Sequence, residues 1–299
     1  MQFLKVGHDT QAEKGTGVSV FLFDKPAVGA YLLCGSSPAS HELTTLELDA
    51  NVSHVDGLAF LGGSAFGLSA VDGVMRWFKE QGRGYPTPYG AIPIVPAVGI
   101  FDLAVNQPIP PTAEEAYQAC RSASENNFSE GRIGAGTGAS VGKFVPDASR
   151  MSGGVGCAEL VLPNGVSVLA YAVVNSLGDV RERDGKIIAG ARLANGEFAN
   201  CEAYLLSGQE DMAATLLNTT LITVMTNALF SKNVLRRIAK VAASGMARAI
   251  SPVFTRYDGD IVFCFSLGER QATEKIVSTM AAEAVRQAIV NAVKDSIIL

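Results

Sequence analysis

A run of glycines in the middle of the chain constrains its folding more than any other feature. Gly131, Gly134, Gly136, Gly138, Gly142, Gly153, Gly154 and Gly156 fall within one stretch, and each would cost a helix about 1 kcal/mol relative to alanine. The stretch is therefore expected as loop and bulged strand. Before it, residues 18–23 and 29–34 are β-rich, and Asp24-Lys25-Pro26 between them reads as a hairpin turn. Residues 58–61 read as a buried strand ending at Gly62-Gly63. The spacing then predicts a helix over 64–81, with Ser64 as N-cap, Gly82 at its C-terminal end, and Phe66, Ala70, Val74 and Phe78 on one face. Residues 92–98 read as a proline-punctuated strand at a sheet edge or bulge, and 112–126 as a helix capped by Thr112.

After the glycines, 166–174 is a strongly β-prone run, and 194–214 has no periodicity and reads as an exposed connector. Residues 219–226 alternate in a β-branched strand. A helix over 231–250 carries Val234, Leu235, Ile238, Val241, Ala242, Met246 and Ala249 on one face, with Lys232, Arg236, Arg237 and Lys240 on a solvated one. A strand over 261–265 and an amphipathic helix over 272–296 complete the chain. Strands and helices mix without strict alternation, so a layered α+β sandwich is expected rather than a doubly wound sheet.

Composition narrows the function classes. With 48% apolar and 18% charged residues the chain of 299 is no disordered segment, and its net charge of -5 argues against a nucleic-acid partner. Cys34, Cys120, Cys157, Cys201 and Cys264 are odd in number and form no C-x-x-C pair, which fits buried thiols in a reducing compartment. Residues 1–15 lack the apolar core of a signal peptide. The longest apolar run, 91–101, spans about half a bilayer and is broken by Pro93 and Pro96. The expectation is a soluble cytoplasmic protein with no membrane contact.

Several familiar motifs fail on inspection. Gly134-Ala135-Gly136-Thr137-Gly138-Ala139 fits a loose dinucleotide fingerprint, yet no strand precedes it and no helix follows. The segment 138–143 mimics a P-loop, but its first glycine is one residue too close and Phe144 stands where a magnesium-binding hydroxyl is needed. Phe66 replaces the last glycine of a nucleophile elbow in Gly62-Gly63-Ser64-Ala65-Phe66. His8, His41 and His54 are isolated from one another and from any carboxylate-cysteine cluster. No cofactor and no metal are expected.

Asn218-Thr219-Thr220 sits where a polar connector becomes an apolar strand. A threonine hydroxyl can attack the carbonyl before it, and hydrolysis of the resulting ester would cut the chain and free an α-amine on Thr219. An α-amine has an ordinary pKa of about 7.7–8.0, so near neutrality a useful fraction is a base beside the hydroxyl it must deprotonate. The same triplet also fits a strand-entry turn and the N-x-T pattern of a glycosylation acceptor. Local sequence leaves these readings open.

Five motifs occur together in order: Gly62-Gly63-Ser64-Ala65-Phe66-Gly67-Leu68, the segment 134–143 ending in Gly142-Lys143, Val173-Val174-Asn175-Ser176-Leu177-Gly178-Asp179, Asn218-Thr219-Thr220, and Asp258-Gly259-Asp260. In this order the chain resembles the P1 (DmpA-like) peptidase family of L-aminopeptidase/D-esterases, β-peptidyl aminopeptidases and endo-type nylon-oligomer hydrolases. The resemblance implies a single domain over 1–299 with a four-layer αββα sandwich of the N-terminal-nucleophile type, self-cleaved into 1–218 and 219–299. It implies Thr219 as nucleophile and base, Lys143 as the residue that holds its hydroxyl or tunes its amine, and Asn175 as oxyanion donor. Asp258 and Asp260 would orient the amine and Lys143. Each supporting residue also has a plain reading: Lys143 paired with an aspartate, Asn175 capping a turn, the glycines serving close packing. The chain departs from the family pattern at Phe101, where several members carry a tyrosine. The implied activity is removal of N-terminal residues from short peptides or amino-acid amides. Endo-hydrolysis of ω-amino-acid oligomers and acyl transfer are the alternatives, and an uncut, non-catalytic binding protein is the alternative of a different class. A homo-oligomer, a tetramer in the family, is implied as well.

Overall fold

The computed structural model describes residues 1, 3–105, 109–209 and 218–299. Nine strands form its main sheet system: β1 (Leu4–Gln11), β2 (Thr16–Leu33), β3 (Ala39–His41), β4 (Val55–Leu61), β5 (Ala97–Gly99), β6 (Gly154–Val161), β7 (Ser167–Asn175), β8 (Thr219–Ala228) and β9 (Ile261–Arg270). The helices packed on them are α1 (Val71–Glu80), α2 (Ala113–Ser122), α4 (Lys232–Ala247) and α5 (Glu274–Asn291), with a short α3 (Cys201–Leu206) in the connector.

β2 organises the architecture. Its first half pairs with β1 and β4, and its second half crosses to pair with β9, so one strand belongs to two sheets. One sheet runs β1-β2-β4-β5-β3 and the other β6-β7-β8-β9-β2. The expected hairpin turn at Asp24-Lys25-Pro26 does not form. The backbone stays extended, and the register against β4 shifts between Leu22 and Ala27, a bulge at which proline's missing N–H is tolerated. The actual hairpin joins β1 to β2.

Side chains sort by strand period into three apolar layers. Val18, Val20 and Leu22 face α1 and α2, where they meet Val74, Phe78, Ala116 and Ala119. Phe21 and Phe23 face the other way, into a core shared between the sheets with Phe60, Tyr171, Leu221, Phe263 and Phe265. Edge contacts between the rings of Phe21 and Tyr171 at 5.2 Å, and tilted ones between Phe60 and Phe263 at 6.1 Å, tie the two sheets directly. On the far side, Val168, Ala170, Ile222, Val224 and Val262 pack on Leu235, Ile238, Ala242, Ala281 and Val285 of α4 and α5. Helix, sheet, sheet and helix follow in order, the αββα sandwich expected.

Several element boundaries move. The helix after Gly63 has Ser64 as its first residue with no side-chain cap, and a 3-10 turn over Leu68–Ala70 separates it from α1. That tighter turn shifts the angular phase. Ala70, Val74 and Phe78 stay buried, whereas Phe66 is 70% exposed. Thr112 caps α2 with a full capping box, and the helix ends at Ser122, short of 126. In α4, Leu235, Ile238, Ala242 and Met246 are buried, but Val241 is exposed. Its basic residues are not simply solvated, because the Lys232 ammonium donates to the carbonyls of Thr45, Glu47 and Val52. The connector contains α3, capped by Asn200, and its residues 210–214 lie outside the described residues. No helix among the described residues is long and apolar enough to cross a membrane.

Candidate active site

β7 and β8 are antiparallel, and their pairing ends with Val174 opposite Thr220 and Asn175 opposite Thr219. β-branched residues open β8, as its alternation leads one to expect, so the first residue of that strand lies beside the last of β7 at one end of the sheet. β8 and β9 run parallel with Leu221 opposite Ile261, and an isolated bridge joins Asn218 to Asp258. The Asn-Thr-Thr and Asp-Gly-Asp triplets are thereby brought side by side.

The bond before Thr219 is held from three directions. The Gly259 N–H donates to the Asn218 carbonyl at 2.7 Å, the Asn218 N–H to the Tyr257 carbonyl at 3.3 Å, and the Thr220 N–H to Asp260 Oδ1 at 2.6 Å. Gly259 is required here for space, since a Cβ on it would lie 2.9 Å from both Thr219 Oγ1 and the Ser37 carbonyl. Asn218 and Thr219 are buried. Among the described residues, the Asn218 side-chain amide is buried without a hydrogen-bond partner at either atom.

Asn175, fully buried, is oriented by its partners. Its Oδ1 accepts from Lys143 Nζ at 2.7 Å and from the Ser140 N–H at 3.0 Å, and its Nδ2 donates to the Phe101 carbonyl at 3.0 Å. One Nδ2 hydrogen is left over. Lys143 Nζ also donates to the Asn175 carbonyl at 3.1 Å, and the Lys143 N–H to the Leu177 carbonyl at 2.9 Å. The end of the glycine run is thus stitched to the turn after β7. The resemblance links Lys143 to the Thr219 hydroxyl or amine; its ammonium donates to Asn175 instead.

The charges crowd together. Burial, reinforced by Arg150, holds the Lys143 ammonium down to about 7, against the pull of Asp258, Asp102 and Asp260. Asp258 is raised above the ordinary carboxylate range by burial, against donation from Thr255 and the field of Lys143. Asp260 is raised by burial and then by repulsion from Asp258. Both carboxylates are engaged by backbone: Asp258 Oδ2 accepts from the Thr255 N–H at 2.8 Å, and Asp260 Oδ2 from that of Phe254 at 3.3 Å.

The structure thus assembles Thr219, Lys143, Asn175, Asp258 and Asp260 at one end of the two-sheet core. It adds groups that the sequence reading missed: the Gly259 and Ser140 N–H groups, the Phe101 carbonyl, and Asp102. Backbone donors leave no trace in residue type. Asp102 does leave one, as the acid that closes the apolar run 91–101.

Known proteins resemble this chain along most of its length. Peptidase family S58 matches residues 2–299. An uncharacterized aminopeptidase of Mycobacterium leprae is 38% identical over 290 residues, covering 90% of this chain and 78% of the relative. A 6-aminohexanoate-oligomer endohydrolase of a Kocuria species is 30% identical over 219 residues, covering 71% of this chain and 60% of the relative. An L-aminopeptidase D-Ala-esterase/amidase from Ochrobactrum anthropi, described as a variant of the N-terminal-nucleophile hydrolase fold, superposes with TM-score 0.74 at 16% identity over 98% of this chain and 84% of that one. A Burkholderia β-aminopeptidase gives 0.71 at 19% over 97% and 84%. These two likenesses establish the fold. With the five motifs in order and the family match spanning nearly every residue, the chain belongs to peptidase family S58, the DmpA-like peptidases and amidases of the N-terminal-nucleophile fold.

Proposed function

We propose that this chain cuts itself before Thr219 and then works as an N-terminal-threonine amidohydrolase, removing N-terminal residues from short peptides or amino-acid amides. The observation that carries the reading is the seating of the Asn218 carbonyl on the Gly259 N–H, with the Thr219 hydroxyl against that same glycine. In the first reaction Thr219 Oγ bonds to the Asn218 carbonyl carbon while negative charge collects on the oxygen facing Gly259. The C–N bond then breaks, the Thr219 nitrogen takes the hydroxyl proton, and water hydrolyses the ester. Asn218 becomes a carboxylate, and Thr219 gains a free amine. The unpartnered Asn218 amide favours this outcome, because a buried unsatisfied polar group costs about 1–3 kcal/mol and separation of the new end releases it.

In each later turnover the Thr219 amine takes the hydroxyl proton, Oγ attacks the substrate carbonyl, the proton passes to the leaving amine, and water removes the acyl group. Lys143, bonded to the Asn175 that faces Thr219 across the strand pair, disfavours protonation of that amine by like-charge repulsion whenever it carries its own proton. The remaining Asn175 N–H is the donor for the tetrahedral oxyanion, aimed by Lys143, Ser140 and Phe101 before any substrate arrives. Asp258 and Asp260 hold the backbone N–H groups of Thr255, Phe254 and Thr220, and in their ionised forms favour the charged state of Lys143. We extend the reading to one domain over 1–299 whose two pieces, 1–218 and 219–299, stay packed through the shared core, to a homo-oligomer, and to a cytoplasmic setting.

The aminopeptidase named at 38% identity favours exo-cleavage over the oligomer endohydrolase named at 30%. A panel of aminoacyl p-nitroanilides, β-peptides and 6-aminohexanoate oligomers tests this, with Thr219→Ala as control. Release of N-terminal residues by the wild type alone is expected. Internal cleavage of the oligomers only would select the second reading, and equal turnover by Thr219→Ala would remove the nucleophile.

A further inference from the structure

We propose that Asp102 is a positioning residue of this site, a buried carboxylate that anchors the segment holding the Asn175 amide and balances the charge of Lys143. The inference rests on the roles given above to Thr219 and Asn175. Asp102 is 4% exposed, and both of its oxygens accept hydrogen bonds, Oδ1 from the Gly63 N–H at 2.6 Å and Oδ2 from the Thr16 hydroxyl at 2.9 Å. It therefore ties together the start of β2, the turn after β4 and the segment that follows β5. Acceptance at both oxygens is the pattern of the ionised form.

Two glycines of the otherwise unexplained motifs make room for it. A Cβ on Gly62 would fall 2.4 Å from Asp102 Oδ2 and 1.9 Å from Thr16 Oγ1, and one on Gly138 would fall 2.8 Å from Asp102 Cβ. A carboxylate buried at this depth needs donors and a cation to persist. Burial pushes its pKa up, while Gly63, Thr16 and Lys143 pull it back toward the ionised state.

The anchor acts through one peptide. The Phe101 carbonyl, directly before Asp102, receives the Asn175 Nδ2 hydrogen bond. One residue earlier, the Ile100 N–H donates to the Leu61 carbonyl, and the Ile100 carbonyl accepts from the Ser64 N–H, both at 2.8 Å. Pinned on both sides, the Phe101 carbonyl has one direction, and with it the oxyanion donor. Phe101 has no hydroxyl, and it is its backbone oxygen that meets Asn175.

Asp102→Asn keeps the shape and removes the charge. With an L-aminoacyl p-nitroanilide that the wild type turns over, kcat should fall about tenfold or more while KM stays within about twofold. The charged groups acting on Lys143 are Arg150, Asp258, Asp260 and Asp102. Losing one anion lowers the pKa of Lys143 and of the neighbouring amine, so the acid limb of the rate profile should move to lower pH. Thr16→Val loosens the carboxylate without removing it, and should lower kcat several-fold with the limb moving less than in Asp102→Asn. Wild-type kcat and an unmoved limb in Asp102→Asn, or a loss confined to KM, would overturn the proposal. Wild-type kcat in Thr16→Val would do so even if the Asp102→Asn chain did not fold. Thr219→Ala run in parallel separates the failures: activity there defeats the site reading, whereas an inactive Thr219→Ala beside an unaffected Asp102→Asn defeats only this inference.

Discussion

Asn175 carries three hydrogen bonds and one spare donor, so its removal should be felt in the transition state more than in substrate binding. Asn175→Ala should lower kcat about 10²–10³-fold with little change in KM, as loss of an oxyanion donor does; steady-state kinetics checks this, and a change in KM alone would reduce Asn175 to a ground-state contact. Lys143 makes a pH prediction. Its ordinary pKa of 10.5 falls to about 7 in the fold, so between those values the unfolded chain binds the extra proton. Stability from this group therefore rises with pH from about 7 to 10.5, and below about 7 the burial cost is borne in full. Lys143→Met should lack that rise, and urea unfolding of both chains across the window would show their stabilities diverging; parallel curves would contradict it. At this scale the sequence was legible where motifs named residues. It was silent on the Ser140 and Gly259 N–H groups and the Phe101 carbonyl, because a backbone hydrogen bond leaves no mark on residue type, even though only glycine fits at 259.

β8 and β9 work as a pair, since the parallel register that sets Leu221 against Ile261 also sets Thr219 beside Gly259. Gly259→Ala should destabilise the fold by about 1–3 kcal/mol through overpacking, and slow release of the Thr219 terminus well beyond that cost. Intact mass followed over time beside a urea curve separates the two effects, and processing at the wild-type rate would refute the close seating. Elements with a strong local signal, the β-prone run of β7 and the helical spacing of α4 and α5, could be read from the chain within a few residues. The continuity of β2 could not, because Asp24-Lys25-Pro26 has turn chemistry and only the pairing of both halves with different sheets keeps it extended. The exposure of Phe66 was hidden for a related reason, a 3-10 turn that no apolar spacing announces.

Four layers place the site at one end of the two-sheet core, where β7, β8 and the turn before β9 converge with the glycine run and the segment after β5. Layering was expected from the mixture of elements, but the order of strands came from contacts distant in sequence, which composition and period do not encode. Rigid sheets on both sides keep Thr219 and Asn175 in register, and the same core would hold the two pieces together once the bond between them is gone. Scission of that bond is the step on which the proposed chemistry depends. N-terminal sequencing of purified, active material, beside its intact mass, tests it most directly. A polypeptide beginning at Thr219 is expected, absent from Thr219→Ala; active material consisting only of the unbroken 31.3 kDa chain would refute self-cleavage.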